Sequence, residues 1–358
     1  MKAYLTDGNN EFKMRKTETA DLDTRGSYSS LDKGLFLLSG GKGGGDCMLF
    51  RQHFKPVDIH GHLPYSLYFG KNDKTFSDYN RERSERMNLT WDFPDPHDVE
   101  GDDGEIALMT RWENELDKYG IDVLNFLTAE SNDRMAAFIQ ANPARFTGFA
   151  YHPLEREDAY EELKRAVEEL GLKGYKLFGP LTDIDFHDPS LKKLWTYLAD
   201  KRLPVLIHFG LLGRAGGIVS HRNINPLSIY RVAREYADIP FIIPHFGAGY
   251  YQELLQLCWS CPNVYIDTSG SNQWMRWMPY PLDLEILFRK TSELIGAERI
   301  IFGTDSNGFP RGYVYRYLQE QVRTCREINM REEDIENIFG NNARTLLKIA
   351  RQEKEVNT

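Results

Sequence analysis

Two histidines separated by one residue, His60 and His62, end the apolar stretch that begins at Val57. In a β-strand, residues i and i+2 project to the same side, so the two imidazoles would lie together. Paired imidazoles suit a divalent metal such as zinc or manganese. Because a single His-x-His pair is weak evidence for a metal site, the interpretation depends on what else the fold brings to this place.

The elements that would position such a site are short apolar strands alternating with amphipathic helices, which indicates a parallel sheet with helical crossovers. His60 and Asp305 are 245 residues apart, close to the roughly 250 residues typical of a (β/α)8 TIM barrel. A doubly wound open sheet would need a Gly-rich turn after an early strand, and the sequence has none there. We therefore predict an α/β protein with a (β/α)8 TIM barrel, whose eight strands are 57–62, 122–127, 146–151, 174–178, 204–208, 241–245, 264–267 and 300–303.

In a (β/α)8 barrel the carboxyl ends of the strands meet at one mouth, where active sites are built. Side chains capable of metal binding or catalysis fall at five of the eight predicted strand ends. Packing alone does not account for so many at one mouth. These candidates are His60 and His62 on the first strand, Lys176 on the fourth, His208 on the fifth, His245 on the sixth and Asp305 after the eighth.

The motifs around these residues resemble those of the amidohydrolase superfamily. The similarity is greatest to its amidohydrolase-related branch, which includes aminocarboxymuconate-semialdehyde decarboxylase. It runs from about Val57 to Leu347. The matching segments are Asp58-Ile-His-Gly-His62, Val205-Leu-Ile-His208, Ile243-Pro-His-Phe-Gly247, Phe302-Gly-Thr-Asp305 and Ile338-Phe-Gly-Asn-Asn-Ala-Arg-Thr-Leu346.

The resemblance implies a mononuclear metal centre at the mouth of the barrel. His245 matches the histidine beside the metal-bound water, and Asp305 would both bind the metal and shuttle a proton. We expect one divalent ion, zinc in the first instance and manganese as the alternative, which lowers the pKa of water towards about 7. The positions implied as ligands are His60, His62, His208 and Asp305.

Lys176 has three possible roles. If carboxylated, it would bridge two metal ions, as in binuclear members of the superfamily, and only then is a second ion expected. As an ammonium group it would contact a substrate carboxylate or form a structural ion pair. Asp58 is interpreted either as a hydrogen-bond partner behind the metal ligands or as a strand-start residue.

The loops at the mouth are expected to select the substrate. Arg214 and Arg276 are candidates to bind a substrate carboxylate, although loop arginines are usually solvated. Trp274 and Trp277 would either line a planar substrate or pack over the mouth, and His221 is a further candidate at the mouth. The remaining histidines are predicted not to be ligands, although His152 follows the third strand and could reach the mouth: His53, His97, His152 and His187.

Composition excludes several classes of protein. The formal net charge of −9 argues against nucleic-acid binding. No apolar run approaches a membrane span, and the amino terminus lacks a signal peptide, so we expect a cytoplasmic protein. Cys258 and Cys261 form a single C-x-x-C pair at a predicted helix end, which we interpret as structural.

Residues 1–52 differ from the rest in being charged and Gly-rich, and we interpret them as an N-terminal arm. The run 39–46 lacks the order of a phosphate-binding loop. The barrel domain is assigned to 53–358, with 63–109 as an inserted loop or lid. If the protein is a homo-oligomer, the arm and the insertion would mediate the contacts.

Three functions are weighed. The first is hydrolysis of an amide or lactone of a small molecule by metal-activated water. The second is non-oxidative decarboxylation, or hydration, of a small unsaturated or aromatic carboxylic acid at the same site. The third is a non-catalytic barrel, against which the full ligand set argues. Hydrolysis is preferred because most members of the superfamily hydrolyse their substrates.

Overall fold

A computed structural model of the chain describes residues 54–64, 79, 82, 85, 86, 104–210, 212 and 221–350. Within these residues, short buried strands alternate with helices along the chain. The third and fourth strands are separated only by Phe149, so together they fill one position in the sheet. The strands are β1 (Val57–His62), β2 (Val123–Thr128), β3 (Phe146–Gly148), β4 (Ala150–Tyr151), β5 (Tyr175–Phe178), β6 (Val205–His208), β7 (Phe241–Ile243), β8 (Val264–Asp267) and β9 (Ile300–Ile301).

All neighbouring strands pair in parallel, in the order β1-β2-β3 and then β4 through β9. The segment after β9 returns to β1: the Ile59 N–H donates to the Phe302 carbonyl at 3.1 Å, and the Asp305 N–H donates to the His60 carbonyl at 2.9 Å. Gly61 and Ser306 form a parallel bridge at the same edge. The predicted (β/α)8 TIM barrel is confirmed.

Helices lie between successive strands, as a parallel barrel requires. Their apolar faces pack on the strands: for example, Leu163 and Ala166 are the buried positions toward the middle of the third helix. The helices are α1 (Glu105–Tyr119), α2 (Asn132–Ala141), α3 (Ala159–Glu168), α4 (Lys192–Lys201), α5 (Tyr230–Glu235), α6 (Tyr251–Ser260), α7 (Leu284–Ile295), α8 (Tyr315–Glu327), α9 (Glu332–Glu336) and α10 (Asn342–Leu347).

The strand predictions agree with the structure to within a few residues, and the main difference is in the predicted insertion. A helix begins at Glu105, inside the interval 63–109 that is assigned to the insertion. Glu105 lies in the first turn of this helix, where a negative charge interacts favourably with the helix dipole. Most of the interval, and all of residues 1–52, lie outside the described residues. The arm, the lid and an oligomer contact therefore stay predictions.

Two side chains of α10 tie the amino-terminal end of the barrel together. The Asn342 side-chain amide donates to the carbonyls of Ala297 and Ile300, each at 2.8 Å, just where β9 begins. Arg344 forms a buried ion pair with Asp122, the residue before β2. The segment 338–346, which resembles a family motif, therefore has structural contacts. They lie at the end of the barrel opposite the carboxyl ends of the strands. Among the described residues, no helix is both long and apolar enough to cross a membrane.

Candidate metal centre

The side chains of β1 and of the segment after β9 converge at the mouth of the barrel. His60 and His62 place their Nε2 atoms 3.1 Å apart. Asp305 Oδ1 lies 3.1 Å from His62 Nε2 and 3.5 Å from His60 Nε2. Three potential ligand atoms, contributed by residues up to 245 positions apart in the sequence, thus form one small triangle.

Backbone and buried side-chain bonds hold Asp305 over the histidines. Asp305 has a left-handed φ of 60°, a conformation that is uncommon among non-glycine residues but enriched in Asp. Asp58, fully buried, accepts from the N–H of His60 at 2.9 Å, and from the N–H and hydroxyl of Thr304 at 3.1 and 2.5 Å. Asp58 therefore fastens the segment before Asp305 to β1 through backbone N–H groups and the Thr304 hydroxyl.

The second ring nitrogen of each β1 histidine has its own partner. His60 Nδ1 lies 2.6 Å from Asp267 Oδ2, at the end of β8, and 2.9 Å from Ser269 Oγ. His62 Nδ1 lies 2.7 Å from Thr128 Oγ1, at the end of β2. Partners of this kind orient metal-binding imidazoles and are a regular feature of such sites.

His245 and His208 complete the group of imidazoles. His245 begins a turn in which it, Phe246 and Ala248 all have left-handed φ angles. Its Nδ1 lies 3.1 Å from the Ser269 carbonyl and 3.0 Å from Ser269 Oγ. The ring centroid of His245 is 5.0 Å from that of His60 and 5.1 Å from that of His208. His60, His245 and Asp305 each offer a ligand atom within 4.8 Å of the others.

The residues present fit a divalent metal. Burial lowers the pKa of both His60 and His62, although Asp305 opposes this, so the imidazoles are neutral and can offer lone pairs. Burial alone would raise the pKa of Asp305, but the hydrogen bond with His62 and the adjacent imidazoles hold it well below its usual range. Ligands about 2.0–2.1 Å from zinc at tetrahedral angles are about 3.3 Å apart, which matches the sides of the triangle.

Lys176 lies inside the barrel on β5. The side chain is fully buried, and Nζ has no hydrogen-bond partner among the residues that the structure describes. Nζ lies 4.3 Å from the ring centroid of Phe178, whose ring in turn is 6.0 Å from that of His208. Burial lowers the pKa of Lys176 to about 7, although Asp305 and Asp267 act in the opposite direction. The described contacts therefore do not support a structural ion pair for Lys176.

The loop candidates are distributed differently. Trp274 is buried in the main core, where its ring centroid is 6.4 Å from that of Tyr251 and Nε1 donates to Asn272 Oδ1 at 3.1 Å. Arg276 and His221 are exposed. Trp277 ends the short 3-10 helix Gln273–Trp277, and its side chain, like all of Arg214, lies outside the described residues.

The other histidines and the cysteines have structural surroundings where they are described. His152, which follows the third strand position, donates from Nε2 to the Ala159 carbonyl at 3.0 Å, and His187 pairs with Glu235. Cys258 and Cys261 are buried free thiols. His53 and His97 lie outside the described residues.

Sequence reasoning missed three residues that contact the histidines. Asp267 is the last residue of a strand that was predicted with the correct limits, so the rule that selected His208 would also have selected it. Ser269 and Thr128 carry no comparable signal, because a hydroxyl residue after a strand is common in any fold. Only the three-dimensional arrangement identifies them.

Fold and site together define a class, a parallel (β/α)8 barrel with histidines and a carboxylate gathered at its mouth. The model of the amidohydrolase family matches residues 57–349, so the chain belongs to this family of metal-dependent enzymes. Its sequence is 32% identical over 78 residues to a 2-amino-3-carboxymuconate-6-semialdehyde decarboxylase of Dictyostelium discoideum. That alignment covers 22% of each chain, about a fifth of the relative's length.

Solved structures share the fold. An uncharacterised TIM-barrel protein of Bordetella bronchiseptica superposes with a TM-score of 0.58 and 19% identity, over 82% of this chain and 99% of that one. A dihydroxybenzoic acid decarboxylase of Polaromonas sp. JS666, with bound manganese and 2-nitroresorcinol, has a TM-score of 0.54 and 17% identity, over 85% and 99% of the chains. Other matched structures carry decarboxylase, hydratase and hydrolase names.

Proposed function

We propose that the protein is a divalent-metal-dependent enzyme that decarboxylates a small unsaturated or aromatic carboxylic acid. The observation that carries the substrate class is the Lys176 amino group, which is fully buried inside the barrel without a described hydrogen-bond partner. A buried cation is costly unless it gains an anionic partner. An anionic substrate group would supply that partner. The proposed metal ligands are His60, His62, His208 and Asp305.

The reaction class is supported by the decarboxylase names of the Dictyostelium relative and of the manganese-bound Polaromonas structure. When bound, a divalent cation would supply a Lewis acid that polarises substrate oxygen and would acidify water. In decarboxylation the C–C bond to the carboxyl group breaks, CO2 leaves, and the electron pair on the substrate carbon takes up a proton. His245, whose ring lies next to those of His60 and His208, is proposed to take up that proton from solvent water and pass it to the substrate carbon.

A second candidate, hydrolysis of an amide or lactone, is favoured by the exposure and negative charge of the Asp305 side chain. Its side chain is 32% exposed, so an attacking water can reach the carboxylate, which its low pKa keeps ionised. Such a carboxylate can accept a proton from an attacking water. Both candidates use the same residues and differ in the bond that breaks.

Product analysis separates the two reactions. The purified full-length protein is supplied with zinc or manganese and incubated with a panel of aromatic and unsaturated carboxylic acids, lactones and amides. Release of CO2 from an acid supports decarboxylation. Ring opening or amide cleavage without CO2 release would overturn it in favour of hydrolysis. The variants His60→Ala and His208→Ala are expected to lose most of the bound metal and activity.

The proposed role of Lys176 has its own test. Lys176→Met is expected to raise the KM for the acid that is turned over by about tenfold or more, because a charged hydrogen bond contributes about 1.5–3 kcal/mol. The variant should keep its metal content. Lys173→Met removes an exposed lysine three residues earlier and serves as the matched control. An unchanged KM in Lys176→Met would contradict the proposed contact.

A further inference from the structure

We propose that Asp267 and Ser269 fix the tautomers of His60 and His245, so that both rings present an unprotonated Nε2 to the metal ion and substrate. The two residues act as positioning residues, since their contacts are with the back of the rings. The catalytic consequence rests on the proposed function, whereas the tautomers themselves do not.

The contacts of His60 require a proton on Nδ1. Asp267 Oδ2, 2.6 Å away, belongs to a fully buried carboxyl group whose other oxygen accepts the Ser269 N–H at 2.7 Å. A carboxylate is an acceptor only, so the imidazole is the donor. A neutral imidazole carries one proton, and His60 Nε2 is left with its lone pair on the side of Asp305 and His62.

The same reasoning applies to His245. Its Nδ1 lies 3.1 Å from the backbone carbonyl of Ser269, which can only accept. The Ser269 hydroxyl, 3.0 Å away, has a single proton, and this proton is directed to Asp267 Oδ2 at 3.0 Å. The lone pairs of Ser269 Oγ then accept from the two Nδ1–H groups. In the neutral ring, Nε2 of His245 therefore carries the lone pair.

His62 provides the contrast within the same site. Its Nδ1 partner is the Thr128 hydroxyl, which can either donate or accept. Thr128 therefore holds the ring in place without selecting a tautomer. Nε2 of His62 can keep its proton for the hydrogen bond to Asp305, or lose it when a cation binds.

The arrangement has a chemical consequence for His245. With a proton already placed on Nδ1, His245 starts the reaction as a proton acceptor at Nε2. It becomes a donor only after taking up a proton. His60, held in the same way, offers a metal-directed lone pair at no tautomerisation cost. Mutation of a carboxylate partner of this kind typically lowers metal affinity by about 10–100-fold.

Nitrogen NMR of the full-length, metal-free protein tests the tautomers directly. Two-bond proton–nitrogen spectra of 15N-histidine-labelled protein distinguish Nδ1–H from Nε2–H rings, and His60→Gln and His245→Gln assign the signals. Both rings are expected as the Nδ1–H form at pH 7.5. An Nε2–H signal from either ring in the parent protein would overturn the proposal, whatever the enzyme is later found to catalyse.

Variants then test the cause. In Asp267→Asn the new amide can donate to His60 Nδ1, so we expect His60 to change to the Nε2–H form and manganese affinity to fall about 10–100-fold. Ser269→Ala leaves both acceptor-only groups in place and should keep both tautomers, with a smaller loss. Thr268→Val is the matched control, because Thr268 is equally buried but bonds to Gln321.

The outcomes distinguish the two proposals. A parent protein with the expected tautomers that turns over none of the acids, lactones or amides would contradict only the proposed function. Asp267→Asn with unchanged His60 tautomer and unchanged manganese affinity would contradict only the positioning role. If Asp267→Asn does not fold, the parent spectrum and Ser269→Ala still decide the tautomers.

Discussion

At the scale of single residues, the centre is built without spare room behind His60. Gly303 lies where a β-carbon would be 2.7 Å from Asp267 Oδ1, 2.8 Å from His60 Cβ and 3.0 Å from Ser269 Cβ. Real β-carbons essentially never make contacts this short. Glycine at this position is therefore a requirement of the Asp267–His60 contact.

Gly303→Ala is expected to displace His60 or Asp267, since neither side chain can move aside in a fully buried site. Overpacking of this kind costs about 1–3 kcal/mol in the free energy of unfolding. Manganese affinity should fall at least tenfold. Urea unfolding and manganese titration measure the two effects. The control is Gly308→Ala, five residues on, where the nearest atom to a new β-carbon is 3.9 Å away at Pro64 Cγ.

Equal losses in both variants would show that the Gly303 contacts do not matter. The sequence could indicate His60, His62 and Asp305 because metal-binding residue types recur at several strand ends of the predicted barrel, in motifs that resemble those of a known family. It could not identify Gly303 or Ser269, whose importance arises from close approach between segments distant in the chain. The sequence likewise could not show that Lys176 is buried beside Phe178, and its role stays a proposal.

At the scale of elements, the strands were predictable because each is a short apolar run between polar turns, and a buried parallel strand needs little else. Boundaries were less predictable where tertiary contacts set them. The strand expected over 300–303 pairs as a regular element only at Ile300 and Ile301. Its start is held by Asn342, a contact that spans more than forty residues.

Asn342→Leu is expected to lower the free energy of unfolding by about 2 kcal/mol or more. The change removes two hydrogen bonds and leaves the carbonyls of Ala297 and Ile300 without these donors, and an unsatisfied buried group costs about 1–3 kcal/mol. Because β9 leads to Asp305, metal affinity should also decrease. Asn341→Ala, whose side-chain amide donates to Asn337, is the neighbouring control and should change neither quantity much.

A metal affinity that is unchanged in Asn342→Leu, together with the stability loss, would show that the position of Asp305 does not depend on the start of β9. In that case the bonds from Asp58 to Thr304 would suffice to place the carboxylate.

At the scale of the whole molecule, the two ends of the barrel have separate tasks. The strand ends carry the histidines and Asp305, while the opposite end carries the contacts that close the fold, as is usual in (β/α)8 barrels. The motif spacing could predict the residues at the strand ends, because metal binding and catalysis restrict which residue types can stand there. It could not predict the contacts at the opposite end, since the pairing of Asp122 with Arg344 joins residues 222 positions apart.

The buried ion pair of Asp122 and Arg344 should therefore affect stability with little effect on the metal centre. Arg344 also donates to the carbonyls of Lys55 at 3.3 Å and Ala350 at 3.1 Å, so it joins the segments before β1 and after α10. Arg344→Met leaves a buried carboxylate without its partner, which costs about 3–5 kcal/mol. Manganese affinity measured on the folded protein at low temperature should stay within about twofold of the parent value, because the pair lies at the opposite end of the barrel.

The double variant separates the ion pair from the packing of its side chains. Asp122→Leu with Arg344→Met removes both charges, so its stability loss should be smaller than the sum of the two single losses. Urea unfolding of the four proteins gives the coupling energy. Additive losses would mean that the two charges act independently, through Lys55 and Ala350 for Arg344. A large fall in manganese affinity in either single variant would show instead that the closing end and the mouth are coupled through the strands.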